Sequence, residues 1–115
     1  MFKFETLDVW KKSIDFANTV IDIADFLPRR YQYSFGDQLR RAGLSVPNNI
    51  AEASGRRKGK ESKNFFNISK GSIYECISIL VILSKRELVN WKKFNKRVIY
   101  NQADEISKIL SGLIK

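Results

Sequence analysis

The chain offers little of what covalent chemistry needs. It has no histidine, so the commonest general base and metal ligand is missing. Its single cysteine, Cys76, can build neither a zinc site nor an intrachain disulfide, and its apolar neighbours mark it as a buried, inert thiol. Asp104 and Glu105 are adjacent in a helical stretch and point in different directions, so they cannot share a proton. The segment Gly55-Arg56-Arg57-Lys58-Gly59-Lys60-Glu61-Ser62 has G-x-x-x-G-K spacing, one residue short of a P-loop, and no strand precedes it. These residues argue against an enzyme, and no cofactor or metal is expected.

What the side chains can do is contact phosphate. There are 21 Lys and Arg against 12 Asp and Glu, a net charge of +9. An excess of this size suits an anionic partner, usually nucleic acid (RNA or DNA) and sometimes a membrane surface. It is unevenly spread: residues 1–28 carry −2, residues 29–60 carry +6, residues 61–86 carry +2 and residues 87–115 carry +3. Two clusters stand out. Arg40 and Arg41 lie early in the second helical segment, and Arg56, Arg57, Lys58, Lys60 and Lys63 crowd the glycine-punctuated stretch Ser54 to Lys63. Close-spaced cations on a flexible loop bind phosphates by releasing counterions, whatever the base sequence. Lys92, Lys93, Lys96 and Arg97 can add to that surface. The competing reading is a solvated loop that keeps an oligomer soluble. No aromatic lies in the loop, so a base-stacking platform is not expected there. Arg41, Ser45, Asn48, Asn49, Glu52 and Arg56 recur at spacings of 3 or 4 and form a polar stripe. It reads either as a ligand groove or as local pairing, with Glu52 on Arg56 one turn on and Asn48 or Asn49 serving carbonyls freed by Pro47.

Elements that position these residues follow from the periodicity. With 115 residues, one domain spanning 1–115 is expected. Two prolines and six glycines leave long uninterrupted stretches, which favour helices. Leu7 to Leu27 reads as the first helix, with Trp10, Ile14, Ala17, Ile21, Ala24 and Leu27 as its stripe and Thr6 or Asp8 as its cap. Phe35 to Ala53 reads as the second, buried through Leu39, Ala42, Gly43, Val46, Ile50 and Ala53, with a kink or local break at Pro47. The third runs from Lys60 or Glu61 to about Arg86. The fourth runs from Trp91 to Ile114, capped by Asn90, with Phe94, Val98, Ile106, Ile109, Leu110 and Leu113 inward and Gln102 a polar interruption. Connections of roughly 5 to 9 residues favour an antiparallel, up-down-up-down four-helix bundle.

The third helix is apolar beyond one stripe. Ile79-Leu80-Val81-Ile82-Leu83 covers five successive positions, which circle a helix at 100° each. A bundle covers one side only, so the surplus asks for a second copy of the chain, with Ile79, Val81, Ile82 and Leu83 as the oligomer interface. A buried strand is the alternative for so short a β-branched run, but no pairing strand exists. The opening Met1-Phe2-Lys3-Phe4-Glu5 lacks an apolar signal core and no stretch approaches 18 apolar residues, so a cytoplasmic protein with no membrane contact is expected.

Gln38-Leu39-Arg40-Arg41-Ala42, then Ser45-Val46-Pro47-Asn48-Asn49-Ile50-Ala51-Glu52 and Gly55-Arg56, resembles the signature of the 23S rRNA intervening-sequence proteins, a family of four-helix bundles. Leu7-Asp8-Val9-Trp10-Lys11-Lys12 is similar to the family's start. Lys60-Glu61, Phe65-Phe66, Gly71-Ser72 and Glu75 are similar to its third helix, and Ile106 to Ile114 to its end. Ala53-Ser54 departs from the glycine common after the Glu, and the segment after Arg86 is poor in the usual leucine and glycine. The resemblance implies a ring of bundles, typically a homopentamer, with no catalytic residues to carry over. The family also looks distantly like the accessory variability proteins of diversity-generating retroelements, basic pentamers that associate with a reverse transcriptase and nucleic acid.

The sequence therefore reads as a non-enzymatic oligomeric scaffold that meets RNA or DNA through Arg40, Arg41, Arg56, Arg57, Lys58, Lys60 and Lys63. A protein-binding adaptor without a nucleic-acid role, docking a protein partner on Trp10 or Trp91, is the alternative.

Overall fold

The computed structural model describes residues 1–115: four long helices and no strand. They are α1 (Asp8–Asp25), α2 (Asp37–Gly55), α3 (Lys60–Lys85) and α4 (Lys96–Ile114). A 3₁₀ turn, Lys3–Thr6, precedes α1; a 3₁₀ turn, Arg29–Tyr31, and a π turn, Gln32–Gly36, lead into α2.

Each helix packs on the next, and α4 closes back onto α1, so the four surround one core. Neighbours run antiparallel. Arg40 on α2 meets Asp25 on α1, and the α-carbon of Gly43 stands so close to α1 that a methyl there would lie 3.1 Å from Val20. Ser62 hydroxyl donates to the Ala53 carbonyl at 3.1 Å, Ser69 to Val46 at 2.7 Å and Ser72 to the Ser45 hydroxyl at 2.8 Å, stitching α3 to α2 in reverse order. Lys12 pairs with Glu105 across α1 and α4 at 3.1 Å. Small residues explain the α2–α3 approach: Ala42, Ser45 and Ala53 on one side face Ser62, Ser69 and Ser72 on the other, and each buried hydroxyl finds an acceptor.

The stripe expected for α2 is the stripe buried: Leu39, Ala42, Gly43, Val46, Ile50 and Ala53. The helix continues through buried Pro47 without a break. Asn49 donates to the Ser45 carbonyl and hydroxyl rather than to a carbonyl freed by the proline. Elsewhere the stripe is displaced. On α1 the core takes Val9, Phe16, Val20 and Ile23, leaving Trp10, Ile14 and Ile21 half-buried. On α4 it takes Ile99 and Ala103, while Val98 and Leu113 stay exposed. Spacings of 3 and 4 fit two adjacent stripes equally, and only the neighbours' positions choose between them. Buried Gln102 Oε1 has no hydrogen-bond partner.

The surplus on α3 divides. Ile79 and Leu83, expected at an oligomer interface, belong to the core of the single chain; Val81 and Ile82 remain 37% and 44% exposed. Successive residues turn by 100°, so a five-residue run must point some members inward. Ile68 and Leu44 are also exposed. By length and hydropathy α3 would suit a membrane crossing, contrary to the expectation that no stretch comes close. Its buried residues instead meet the other helices, and its three buried serines bond to α2 or, in the case of Ser72, also to its own Ile68 carbonyl.

The helix ends also differ from expectation. Neither Thr6 nor Asp8 caps α1; the N-cap is Leu7, and the Thr6 hydroxyl donates to the Lys3 carbonyl. Asn90 accepts from the Lys92 and Lys93 amides and organises a turn, and Trp91 Nε1 donates to the Ser84 hydroxyl. α4 begins five residues later, where Asn95 accepts from the Val98 amide at 3.2 Å. α3 ends in a Schellman turn: the Leu88 amide donates to Leu83 and the Glu87 amide to Ser84, both at 2.9 Å, with Glu87 at φ 58°.

Two outcomes follow. Glu87→Gly should raise stability by about 1 kcal/mol, because glycine takes the left-handed position without steric cost; a lower melting temperature would contradict that cap. Burial, with a smaller contribution from Glu75, pushes the Cys76 thiol up to about 12. At pH 8 only on the order of 10⁻⁴ of it is thiolate in the folded state. Iodoacetamide should therefore label Cys76 only as fast as the chain unfolds. Because the unfolded thiol ionises first, stability should be unaffected at neutral pH and erode as pH rises from the ordinary thiol range towards 12.

Candidate nucleic-acid interface

Four of the 21 Lys and Arg side chains pair with carboxylates: Lys12, Arg40, Arg56 and Lys108. Two of these four belong to the expected phosphate-binding set, and the structure gives them other work. Arg40 Nη1 donates to Asp25 at 2.9 Å and to Gln32 Oε1 at 3.0 Å, while Nη2 donates to Asp37 at 2.9 Å and to the Gln32 carbonyl at 2.8 Å. Gln32 Nε2 in turn donates to the carbonyls of Ala24 and Leu27 at 2.9 and 2.8 Å, at the last turn of α1 and just beyond it. Arg40 thus locks the end of α1 to the start of α2. The hydrogen bond to Asp37, outweighing the effect of burial, raises its guanidinium above the ordinary value. Arg56 pairs with Glu52 at 3.1 Å, as expected, and also with Glu61 at 3.3 Å, while its guanidinium lies 5.1 Å from the Phe65 ring centre.

Arg57, Lys58 and Lys60 are exposed, Lys63 is half-buried, and none of the four is ion-paired. Gly59 adopts φ +108° at the turn into α3, a conformation that side chains rarely take. Lys3 joins this group from the N-terminal turn, which sequence spacing could not reveal. Lys3, Lys58 and Lys63 border a cavity of ≈ 550 Å³ between the loop, the start of α1 and the end of α4, floored by apolar residues such as Phe66 and Ile109. Arg41 is exposed but stands apart. It lies 14 positions up α2, about 21 Å along the axis from the loop.

Lys92, Lys93, Lys96 and Arg97 do not extend the loop's surface. They follow α3, whose 26 residues span about 39 Å, and so lie at the opposite end. There they join Arg29 and Arg30 from the α1–α2 connection and Lys85 and Arg86 from the end of α3. Aromatic rings rather than carboxylates hold several of these cations. Arg30 lies 5.1 Å from the Tyr31 ring centre, Arg86 is 5.9 Å from Tyr31 and 5.7 Å from Phe35, and Lys93 is 5.0 Å from Phe26. Lys96 lies between Trp91 and Tyr100 at 5.9 and 5.5 Å. A ring orients a cation without cancelling its charge. The sequence signal for this cluster, four basic pairs at or near helix ends of which Arg29-Arg30 and Lys92-Lys93 adjoin an aromatic, is dispersed over some seventy residues.

The polar stripe of α2 is no groove. Arg41, Asn48 and Glu52 face water, whereas Ser45 and Asn49 are half-buried and bonded to each other, with Ser45 also meeting α3. The tryptophans offered as protein anchors are half-buried too, Trp10 against Phe4 with ring centres 5.0 Å apart and Trp91 on Ser84. No three thiol or carboxylate side chains converge as a metal would require.

A family model described as 23S rRNA-intervening sequence protein matches residues 5–112. No curated protein matches the chain.

Removing the Arg40 guanidinium strands Asp25, Asp37 and Gln32 together. Arg40→Ala should cost about 1–2 kcal/mol in denaturant melts, a figure reduced for the partial exposure of its partners. Arg40→Lys should recover less than half, since one ammonium cannot span both carboxylates and the Gln32 carbonyl. Full recovery by lysine would show that charge alone matters.

Proposed function

The chain belongs to the 23S rRNA-intervening sequence protein family, and on that premise we propose that it is a non-enzymatic scaffold that self-associates and binds the backbone of RNA or DNA. The observation that carries the reading is the uncompensated charge: 17 of 21 basic side chains have no carboxylate partner, and they concentrate at the two ends of the molecule. Phosphate contacts need unpaired cations, and each such contact releases condensed counterions. A ring repeating a +9 chain around its axis would strengthen that field without any new contact.

Self-association is supported by exposed Leu44, Ile68, Val81 and Ile82 on α2 and α3. Unlike charged residues, these gain by leaving water, and a second bundle is the simplest surface to cover them. A homopentamer, implied by the family resemblance, is the form proposed.

Light-scattering mass on a sizing column, with and without a short RNA duplex at low and high salt, tests both parts. The expected result is a pentamer-sized species that takes up RNA at low salt only. The pairs Arg57→Glu with Lys58→Glu, and Lys92→Glu with Lys93→Glu, should each weaken binding by tenfold or more for any base sequence and flatten the salt dependence by about two ions. Unchanged affinity in both pairs would overturn the assignment to these surfaces, and a stable monomer would overturn the self-association.

A further inference from the structure

We infer that the end of the bundle formed by the α1–α2 and α3–α4 connections is a base-stacking platform that selects single-stranded nucleic acid over duplex; this rests on the nucleic-acid reading above. The argument begins with what distinguishes this end from the other. The loop Arg56 to Lys63 carries no aromatic residue of its own, and the rings nearest to it are engaged: Phe65 carries Arg56 and Phe2 stacks on Phe4 with centres 6.0 Å apart. The opposite end places Arg29, Arg30, Lys85, Arg86, Lys92 and Lys93 around a belt of rings.

Most of those rings are spoken for. Tyr31 and Phe35 pack on each other with centres 6.1 Å apart and carry Arg86, while Phe26 packs edge-on against Phe94 at 5.9 Å and carries Lys93. Tyr33, in the same π turn as Phe35, is different. It is 87% exposed, and neither its ring nor its hydroxyl takes part in any aromatic, cation or hydrogen-bond contact. Phe26 also remains 54% exposed on its outer side. A large aromatic left in water at the end of the bundle that gathers unpaired cations satisfies the two requirements of a single-strand site: a π-face for an unstacked base and positive charge for the adjoining phosphates. A duplex keeps its base faces stacked inside and can use only the charge. Acidic groups do not cancel the effect. Asp25 and Asp37 are held by Arg40, which leaves Asp22 and Glu87 against the basic residues of this end.

The test measures binding of fluorescent 12-nucleotide oligouridine and oligothymidine, and of a 12-base-pair RNA duplex, to the full chain at one salt concentration. Tyr33→Ala should weaken both single strands about tenfold and leave the duplex unchanged, and Tyr33→Phe should retain wild-type binding because the ring does the work. A 2-aminopurine base in the strand should be quenched on binding to the wild type and less so on Tyr33→Ala. Wild-type affinity of Tyr33→Ala for single strands, or equal loss on single strand and duplex, would overturn the platform. If, in addition, Lys92→Glu with Lys93→Glu weakens all three ligands, the backbone-binding reading stands without the platform. Failure of every oligonucleotide to bind the wild type would overturn both.

Discussion

The antiparallel seam between α2 and α3 is the constraint on which the remaining architecture rests. Small side chains let the two helices approach, and the serine hydroxyls of α3 find acceptors on α2. A larger residue at Ala42, Ala53 or Ser69 would push the helices apart and leave those hydroxyls unpaired in the core, where an unmade hydrogen bond is costly. Once the seam is set, the hairpin loop is confined to one end, the long α3 must run the length of the molecule, and α1 and α4 have only the remaining faces to cover.

That geometry decides where the charge can go. The inner faces of four helices exclude it, and the sides are shared among helix contacts and a few ion pairs. The ends are left. Arg40 and Arg56 lie next to acidic side chains and are absorbed into structure, one as a clamp on the end of α1, the other as a bridge between α2 and α3. Cations beyond the reach of a carboxylate remain free, and at the α3–α4 end aromatic rings hold them in place without neutralising them. A basic composition is thereby converted into two separate basic surfaces about one helix length apart, the one at the α3–α4 connection being the richer in cations held by aromatic rings.

The same constraint accounts for the apolar residues left outside. α3 buries the side that faces α2 and α4, and Ile68, Val81 and Ile82 lie beyond the width that these two neighbours cover. Such residues lower the cost of pairing with another copy; Ile68 sits on the flank of the bundle, and Val81 and Ile82 lie one turn before the basic residues that end α3. Self-association through Leu44 and Ile68 would leave the loop end open to a polyanion.

Local pattern alone determined a good part of this protein. The four helices, the core stripe of α2, the Glu52–Arg56 pair and the buried thiol of Cys76 depend on neighbours a turn or less away, and the motif around Pro47 carried the family. What the pattern left open, the packing decided. The stripes of α1 and α4 shifted because 3.6-residue periodicity defines an angle only to within a residue. Ile79 and Leu83 turned inward because an unbroken apolar run carries no direction of its own. Arg40 became a clamp, and Arg29, Arg30, Arg86 and Lys93 came together around aromatic rings, because charge and proximity in space depend on residues up to seventy positions apart. Sequence distance encodes neither, and only the closed arrangement of the helices brings those groups within a few ångströms.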